Sequence, residues 1–345
     1  MDSMASEGIA LETRIADYLA HRMPGAASLE VEGLARIHGG SSQETFRLRA
    51  KWREDGEDRS RQLILRRAPE AGLVNAEHDL EFKVYSALAD RGVPVPRAHY
   101  LELDPAWLDR PFFIMDLMPG KPGEIYGTDD PYDGDSDAVA HNFWRHMGTL
   151  ASQDHLALGL THLRNGEAEG GFAASELSYW EAKLDEDEAI VEPVVRGAIR
   201  WLRRNLPADP VHPAICHGDF RSGNFLYLPG GEISAVLDWE MCHISDPLED
   251  MAWALDPMWT MERHMTLDEA IPLWEETSGM PVDRAALDWW RLFSMVKACS
   301  LWTTAEASFE NGTSREMIVA LTAMRASSFH RRQIIGRMAD LGAKA

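Results

Sequence analysis

Between Ile215 and Glu240 the chain reads ICHGDFRSGNFLYLPGGEISAVLDWE. An apolar pair leads into a His217-Gly218-Asp219 turn, and Asn224 follows Asp219 by five positions. A short β-like stretch then reaches a Gly-Gly turn, and a second β-like run ends on Asp238. This order brings two carboxylates and one amide together. A phosphoryl donor travels as a magnesium complex, so handling it requires oxygen ligands for a hard cation and one carboxylate free to orient an attacking hydroxyl. Asn224 and Asp238 suit the first need and Asp219 the second. Gly-Asp and Asn are also ordinary turn residues, which explains any one piece but not four polar positions in one window flanked by apolar runs.

Working outward toward the amino terminus, the pattern is mostly of period two. VEGLARI (31–37), a turn HGGSSQ, ETFRLRA (44–50), a charged link WREDGEDRSR and QLILRRA (62–68) predict three consecutive antiparallel strands. Before them, Leu11, Ile15, Tyr18 and Leu19 fall on one stripe of an opening amphipathic helix. After them, Leu80, Val84, Ala87 and Leu88 mark the buried face of a helix that Gly92 and Pro94 end. PRAHYLELD and RPFFIMDLM supply two more strands, so the first part predicts a five-stranded sheet with one prominent helix. Beyond Pro119-Gly120, Trp- and Leu-rich helical stretches dominate, interrupted by the window above. In the turn Gly39 to Gln43, missing side chains would let backbone N–H groups approach phosphate oxygens, although the same residues suit any hairpin turn.

Composition excludes several classes of function. The chain has 345 residues, 45% of them hydrophobic, enough for a sizeable core. Its 34 basic and 56 acidic residues give a formal charge of −22, which repels nucleic acid and anionic lipid. Cys216, Cys242 and Cys299 are widely spaced, without a Cys-x-x-Cys pair, so they suggest neither a disulfide framework nor a zinc site. With no secretory pattern and no long apolar run, a cytoplasmic protein without a membrane anchor is expected.

The catalytic window resembles the aminoglycoside phosphotransferase family, which is related to choline kinases. The resemblance implies an α+β, two-lobed protein-kinase-like fold, with an antiparallel five-stranded N-lobe and a mainly helical C-lobe. It would place a nucleotide-binding lobe at residues 1–115, a hinge at 116–120 and a helical lobe carrying the catalytic loop and acceptor site at 121–345. It implies that Asp219 is the catalytic carboxylate, that Asn224 and Asp238 hold Mg2+, and that His217 braces the loop, a catalytic role as base being the alternative for its lone imidazole. ATP, or GTP, would be the donor. Its base would lie against backbone groups from Asp116 to Met118, and its phosphates near Gly40, Ser41 and Ser42. Arg66 occupies the strand position where kinases usually carry a lysine, with Arg67 as the competing candidate. Glu81, followed by an aromatic as in the family pattern, would be its acidic partner, and Glu77 is the alternative.

Several neighbouring features bear on the acceptor. Asp246-Pro247-Leu248-Glu249 has the spacing of a capping box, so Asp246 is expected to be structural and Asp250 to support the catalytic loop. The link from Asp238 to this helix is too short for the activation segment of a regulated protein kinase, which favours a small-molecule acceptor with a hydroxyl group. The acidic stretch 128–137 lacks the glutamate of a calcium loop and reads as solvated. Trp289, Trp290, Lys297 and Trp302 fall in late helices that wall the acceptor cleft in the family, and they equally suit a core. The family's His-x-x-Asp helix has Ala151 in place of its histidine before Asp154. The phrases LILRRAP, VPVPRAHYLE, DPLEDMAWAL and LDWWRLFSMVKA resemble the branch related to the kinase domain fused to certain acyl-CoA dehydrogenases, which implies a hydroxyacyl-CoA acceptor. The acidic surface would suit a cationic aminoglycoside instead. A nucleotide-binding pseudokinase without turnover is the reading from another class. Oligomeric state is not readable.

Overall fold

The computed structural model describes residues 2–37, 43–68, 76–123, 129–164, 170–259, 261–313 and 317–344. Gly40, Ser41 and Ser42 lie outside the described residues, as does the side chain of Glu77. The chain divides into two compact units, one formed by Met1–Gly120 with Ser234–Glu240 and the other by Lys121–Ile233 with Met241–Ala345.

In the first unit, α1 (Asp2–Arg22) is followed by β1 (Ala27–Ile37), β2 (Glu44–Glu54), β3 (Glu57–Arg67), α2 (Ala76–Leu88), β4 (Ala98–Glu102) and β5 (Phe112–Asp116). The strands form one sheet in the order β1-β2-β3-β5-β4, and each pair is antiparallel. Alternation builds β2: Phe46, Leu48, Ala50 and Trp52 turn inward while Arg47, Arg49, Lys51 and Arg53 turn outward. The inward residues join Ile15, Tyr18 and Leu19 of α1 with Leu63, Leu65, Leu108, Phe112 and Ile114 in one core. Each such Leu or Phe stabilises the fold by about 1.5–3 kcal/mol through removal from water. The stretch expected as a charged link is the tip of the β2–β3 hairpin. Asp55 and Gly56 both take positive φ, at 53° and 81°, as a two-residue hairpin turn requires.

Strand parity decides which arginine faces which helix. On β3, Leu63 and Leu65 face the α1 core, and Arg67 follows them, its guanidinium 5.4 Å from the centre of the Phe46 ring. Arg66 points the other way, opposite Phe113 in the β3–β5 register, where Phe82 and Tyr85 of α2 pack on the Phe113 ring.

The second unit is mainly helical: α3 (Ser136–Ala151), α4 (Phe172–Asp187), α5 (Pro193–Arg204), α6 (Leu248–Ala254), α7 (Leu267–Ser278), α8 (Arg284–Glu310) and α9 (Met317–Lys344). Between α5 and α6 in the chain lie the short strands β6 (Ala214–Cys216), β7 (Phe225–Tyr227), β8 (Ile233–Val236) and β9 (His243–Ser245), of which β8 from Ser234 on belongs to the first unit. β9 pairs antiparallel with β6. The three cysteines are free and buried. No helix among the described residues is long and apolar enough to cross a membrane.

Candidate active site

The stretch from Ile215 to Glu240 contributes to both units, and each contribution is a closed hydrogen-bonded group. In the second unit β6 delivers the chain to His217. The backbone N–H groups of His217 and Gly218 donate to the two carboxylate oxygens of Asp250, at 2.7 and 2.9 Å. Gly218 has φ +82°, and a Cβ there would lie 2.5 Å from the Met241 carbonyl oxygen, so only glycine permits this turn. Its own carbonyl accepts from Lys297 Nζ at 2.6 Å. His217 is fully buried, packs edge-on against Phe220 and accepts the Asp219 N–H on Nδ1 at 3.1 Å. That geometry gives His217 a bracing place in the loop.

Asp219 is held by three donors. Arg221 Nε at 2.8 Å and Trp253 Nε1 at 2.7 Å donate to Oδ1, and Asn224 Nδ2 donates to Oδ2 at 2.6 Å. Asn224 Nδ2 also bonds the Asp219 carbonyl at 3.0 Å. An amide whose N–H groups are engaged on one side keeps its carbonyl oxygen as a hard donor, the kind a magnesium ion takes. Hydrogen bonds of this number fix the carboxylate's rotamer.

In the first unit a second ring of contacts closes around Arg66. Its Nη1 pairs with Glu81 Oε1 at 3.1 Å, its Nε donates to Gln43 Oε1 at 2.9 Å, and its Nη2 reaches Asp238 Oδ1 at 3.5 Å. Gln43 Nε2 and Tyr85 Oη both donate to Glu81, each at 3.2 Å, and the Tyr85 hydroxyl accepts the Asp238 N–H at 3.3 Å. Glu81 is fully buried, whereas the Asp238 carboxylate is 36% exposed. Burial opposes the charge on Arg66, but Glu81, with Tyr85 and Asp238, raises its pKa above the ordinary guanidinium value. Burial raises the Glu81 carboxyl against the pull of Arg66. The guanidinium is therefore the fixed charge of this pair. Asp238 adopts φ +72°, a left-handed conformation costly for a residue with a side chain. The Tyr85 contact helps hold it, and the exposed oxygen-rich carboxylate fits magnesium by donor type.

Arg67 is engaged elsewhere, with Glu44 at 2.7 Å, which also takes Arg110 at 2.7 Å. At the end of β5, Asp116 N–H bonds Arg97 O and Leu117 N–H bonds Gln62 O, at 3.0 and 3.1 Å. The Asp116 side chain meets His99 Nε2 at 2.7 Å. Met118 follows directly, where the chain leaves the sheet.

The capping box expected at Asp246 is not formed. Asp246 accepts the Leu248 N–H at 2.9 Å and the Trp290 indole N–H at 3.0 Å, but Pro247 stands at the helix cap in a helical conformation. Glu249 is buried and turns to Lys297 Nζ and His243 Nε2, both at 3.0 Å, because a charged partner in a low-dielectric interior outcompetes a backbone N–H. Burial opposes ionisation of Glu249, yet His243 and Lys297 hold its carboxyl below the usual range. Glu176 completes this cluster and is bidentate with Arg164. Glu176, His243 and Glu249 could by spacing hold a metal, but Arg164 and Lys297 already neutralise both carboxylates, and the arrangement is an ion-pair network. Trp289 and Trp290 are core residues, with indole N–H groups bonded to Leu202 O and Asp246.

Reading the residues alone missed Gln43, Tyr85, Arg221, Trp253 and the destination of Glu249. Tyr85 was accessible, since it stands four residues after Glu81 on one helix face. The others depend on long-range packing.

An antiparallel five-stranded sheet unit followed by a mainly helical unit defines the protein-kinase-like fold. Residues 33–290 match the model of the phosphotransferase enzyme family, and the chain belongs to that family. It is 27% identical over 284 residues to acyl-CoA dehydrogenase family member 11 of Rattus norvegicus, which covers 79% of this chain and 35% of that protein. The chain thus spans about a third of that relative's length. Among solved structures, a candidate aminoglycoside phosphotransferase of Ralstonia eutropha JMP134 has a TM-score of 0.72 at 19% identity, covering 94% of this chain and 98% of that one. A thermostable mutant of aminoglycoside phosphotransferase APH(4)-Ia, solved with AMP-PNP and hygromycin B, has a TM-score of 0.60 at 18% identity, covering 92% of this chain and 98% of that one.

Proposed function

We propose that the protein transfers the γ-phosphoryl group of ATP, with GTP as the alternative donor, to a hydroxyl of a small molecule. The observation that carries this reading is the Asp219–Asn224 hydrogen bond within a loop fixed by Asp250 and Lys297. One side chain is thereby poised for a hydroxyl and the next for a cation. Magnesium, when bound by Asn224 and Asp238, would neutralise phosphate charge. Arg66 orients the phosphates, held in place by Glu81 and Gln43. Asp219 positions the acceptor hydroxyl and receives its proton. The acceptor is of hydroxyacyl-CoA or aminoglycoside type. The test is incubation with ATP, magnesium and an acceptor library, followed by mass spectrometry for products one phosphoryl group heavier. A pseudokinase would bind nucleotide and give none.

Asp238→Ala is expected to weaken magnesium-nucleotide binding and turnover together, since it removes a carboxylate ligand and the Arg66 contact. An unchanged magnesium dependence would move the metal site elsewhere. Arg66→Ala is expected to lower kcat/KM for ATP by about 10- to 100-fold, the range for a lost charge-assisted bond, while Arg67→Ala stays near wild type. Glu81→Gln should give a milder defect, and the double variant less than the sum. Additive effects would mean that the contact between the two does not serve catalysis.

A further inference from the structure

We infer that Arg221 selects an acceptor bearing an anionic oxygen group, a carboxylate or a phosphate, near its hydroxyl. The inference rests on the phosphotransfer reading and names the acceptor class for the same site. Arg221 follows Asp219 by two residues, and its Nε donates to the Asp219 carboxylate at 2.8 Å while its Nη1 donates to Ser222 O at 3.0 Å. Nη2 has no hydrogen-bond partner among the described residues, and the side chain is 22% exposed. The guanidinium also lies 4.5 Å from the centre of the Trp259 ring. A planar cation stacked on an indole and tied at two nitrogens is held in one orientation, so its remaining N–H edge meets a ligand at little entropic cost.

The surroundings leave a cation poorly served. Asp219 already accepts from Arg221, Trp253 and Asn224, which leaves about one of the four lone-pair positions of a carboxylate for the acceptor hydroxyl. An ammonium brought to that hydroxyl position would face the Arg221 guanidinium, a like-charge juxtaposition. Trp253 and Trp259, with ring centres 5.5 Å apart and both nearly buried, form an apolar cluster with the partly buried Met258 and Trp302. The partly exposed members of that cluster suit hydrocarbon attached to the anionic group. The formal charge of −22 acts at long range and is screened within about 8–10 Å at physiological salt, so the local guanidinium governs what docks.

The test uses the full chain with magnesium and ADP, and matched hydroxyl compounds of equal chain length ending in a carboxylate, a phosphate ester, a carboxamide or an amine. Binding is followed by tryptophan fluorescence and calorimetry. The carboxylate or phosphate members are expected to bind at least tenfold more tightly than the amines. Arg221→Gln is expected to erase that preference, and Arg221→Lys to retain part of it; the lysine variant guards against a folding defect. Which anion binds more tightly distinguishes the two sources. Equal or tighter binding of the amines, an anion preference that survives in Arg221→Gln, or no binding by any member would overturn the inference. Magnesium-dependent ATP binding is measured on the same samples. ATP binding without an anion preference defeats this inference alone, whereas absent ATP binding defeats the phosphotransfer reading beneath it.

Discussion

Asp219→Asn is expected to lower turnover by about 10²- to 10⁴-fold, the contribution of a positioned general base, while affinity for the nucleotide changes less than tenfold. The nucleotide-binding roles proposed for Arg66, supported by Glu81, and for Asp238 do not involve Asp219. The structure adds a second, separable outcome. The new amide would set its Nδ2 against Asn224 Nδ2, which stands 2.6 Å from Asp219 Oδ2 in the native loop. Two donors cannot share that contact, so Asn224 would turn over and withdraw its carbonyl oxygen from the side proposed to serve a cation. The magnesium concentration for half-maximal residual activity should therefore rise. Steady-state kinetics against magnesium and ATP check both statements. Turnover within tenfold of wild type in a folded variant would remove Asp219 from the chemistry.

Lys297→Met is expected to be the most damaging change remote from any substrate. Lys297 is buried and donates to Gly218 O and Glu249, with its ammonium 5.4 and 5.1 Å from the ring centres of Trp180 and Trp253. Burial opposes its charge, and Glu249 outweighs that and raises its pKa. Methionine fills similar volume but leaves Glu249 with one fewer cation and Gly218 with an unsatisfied carbonyl. Breaking one side of a buried pair costs about 3–5 kcal/mol. Denaturant unfolding measures the loss, and kcat should fall with it because Gly218 directly precedes Asp219. Lys297→Met combined with Glu249→Gln should recover part of the stability, since the uncompensated charge is then gone. A loss below about 1 kcal/mol in the single variant would show that the pair contributes no more than a surface one.

Much of the sheet was readable because alternation along a strand is a local property. Phe46, Leu48, Ala50 and Trp52 announce a half-buried strand in any fold, and the same parity predicts that Arg66 and Arg67 face opposite ways. The hairpin tip was missed although Asp55-Gly56 is a strong turn signal, because the surrounding charges masked the pairing of Lys51 with Ser60 and Trp52 with Arg59. The capping box expected at Asp246 failed for a different reason. Its spacing satisfied a local capping rule, while Glu249 answered to Lys297, 48 residues away.

The sequence by itself determined the order and spacing of Asp219, Asn224 and Asp238 along the chain and the alternation of the strands, since these depend on residue type and short spacing. Only the tertiary structure decided that Glu81 meets Arg66, that Gln43 and Tyr85 close the ring around it, and that Arg221 and Trp253 hold Asp219. The physical reason is that a charged or polar side chain buried in a low-dielectric interior takes whichever partner packing brings within about 3 Å. Packing is set by apolar contacts between elements far apart in the chain, which no local pattern encodes.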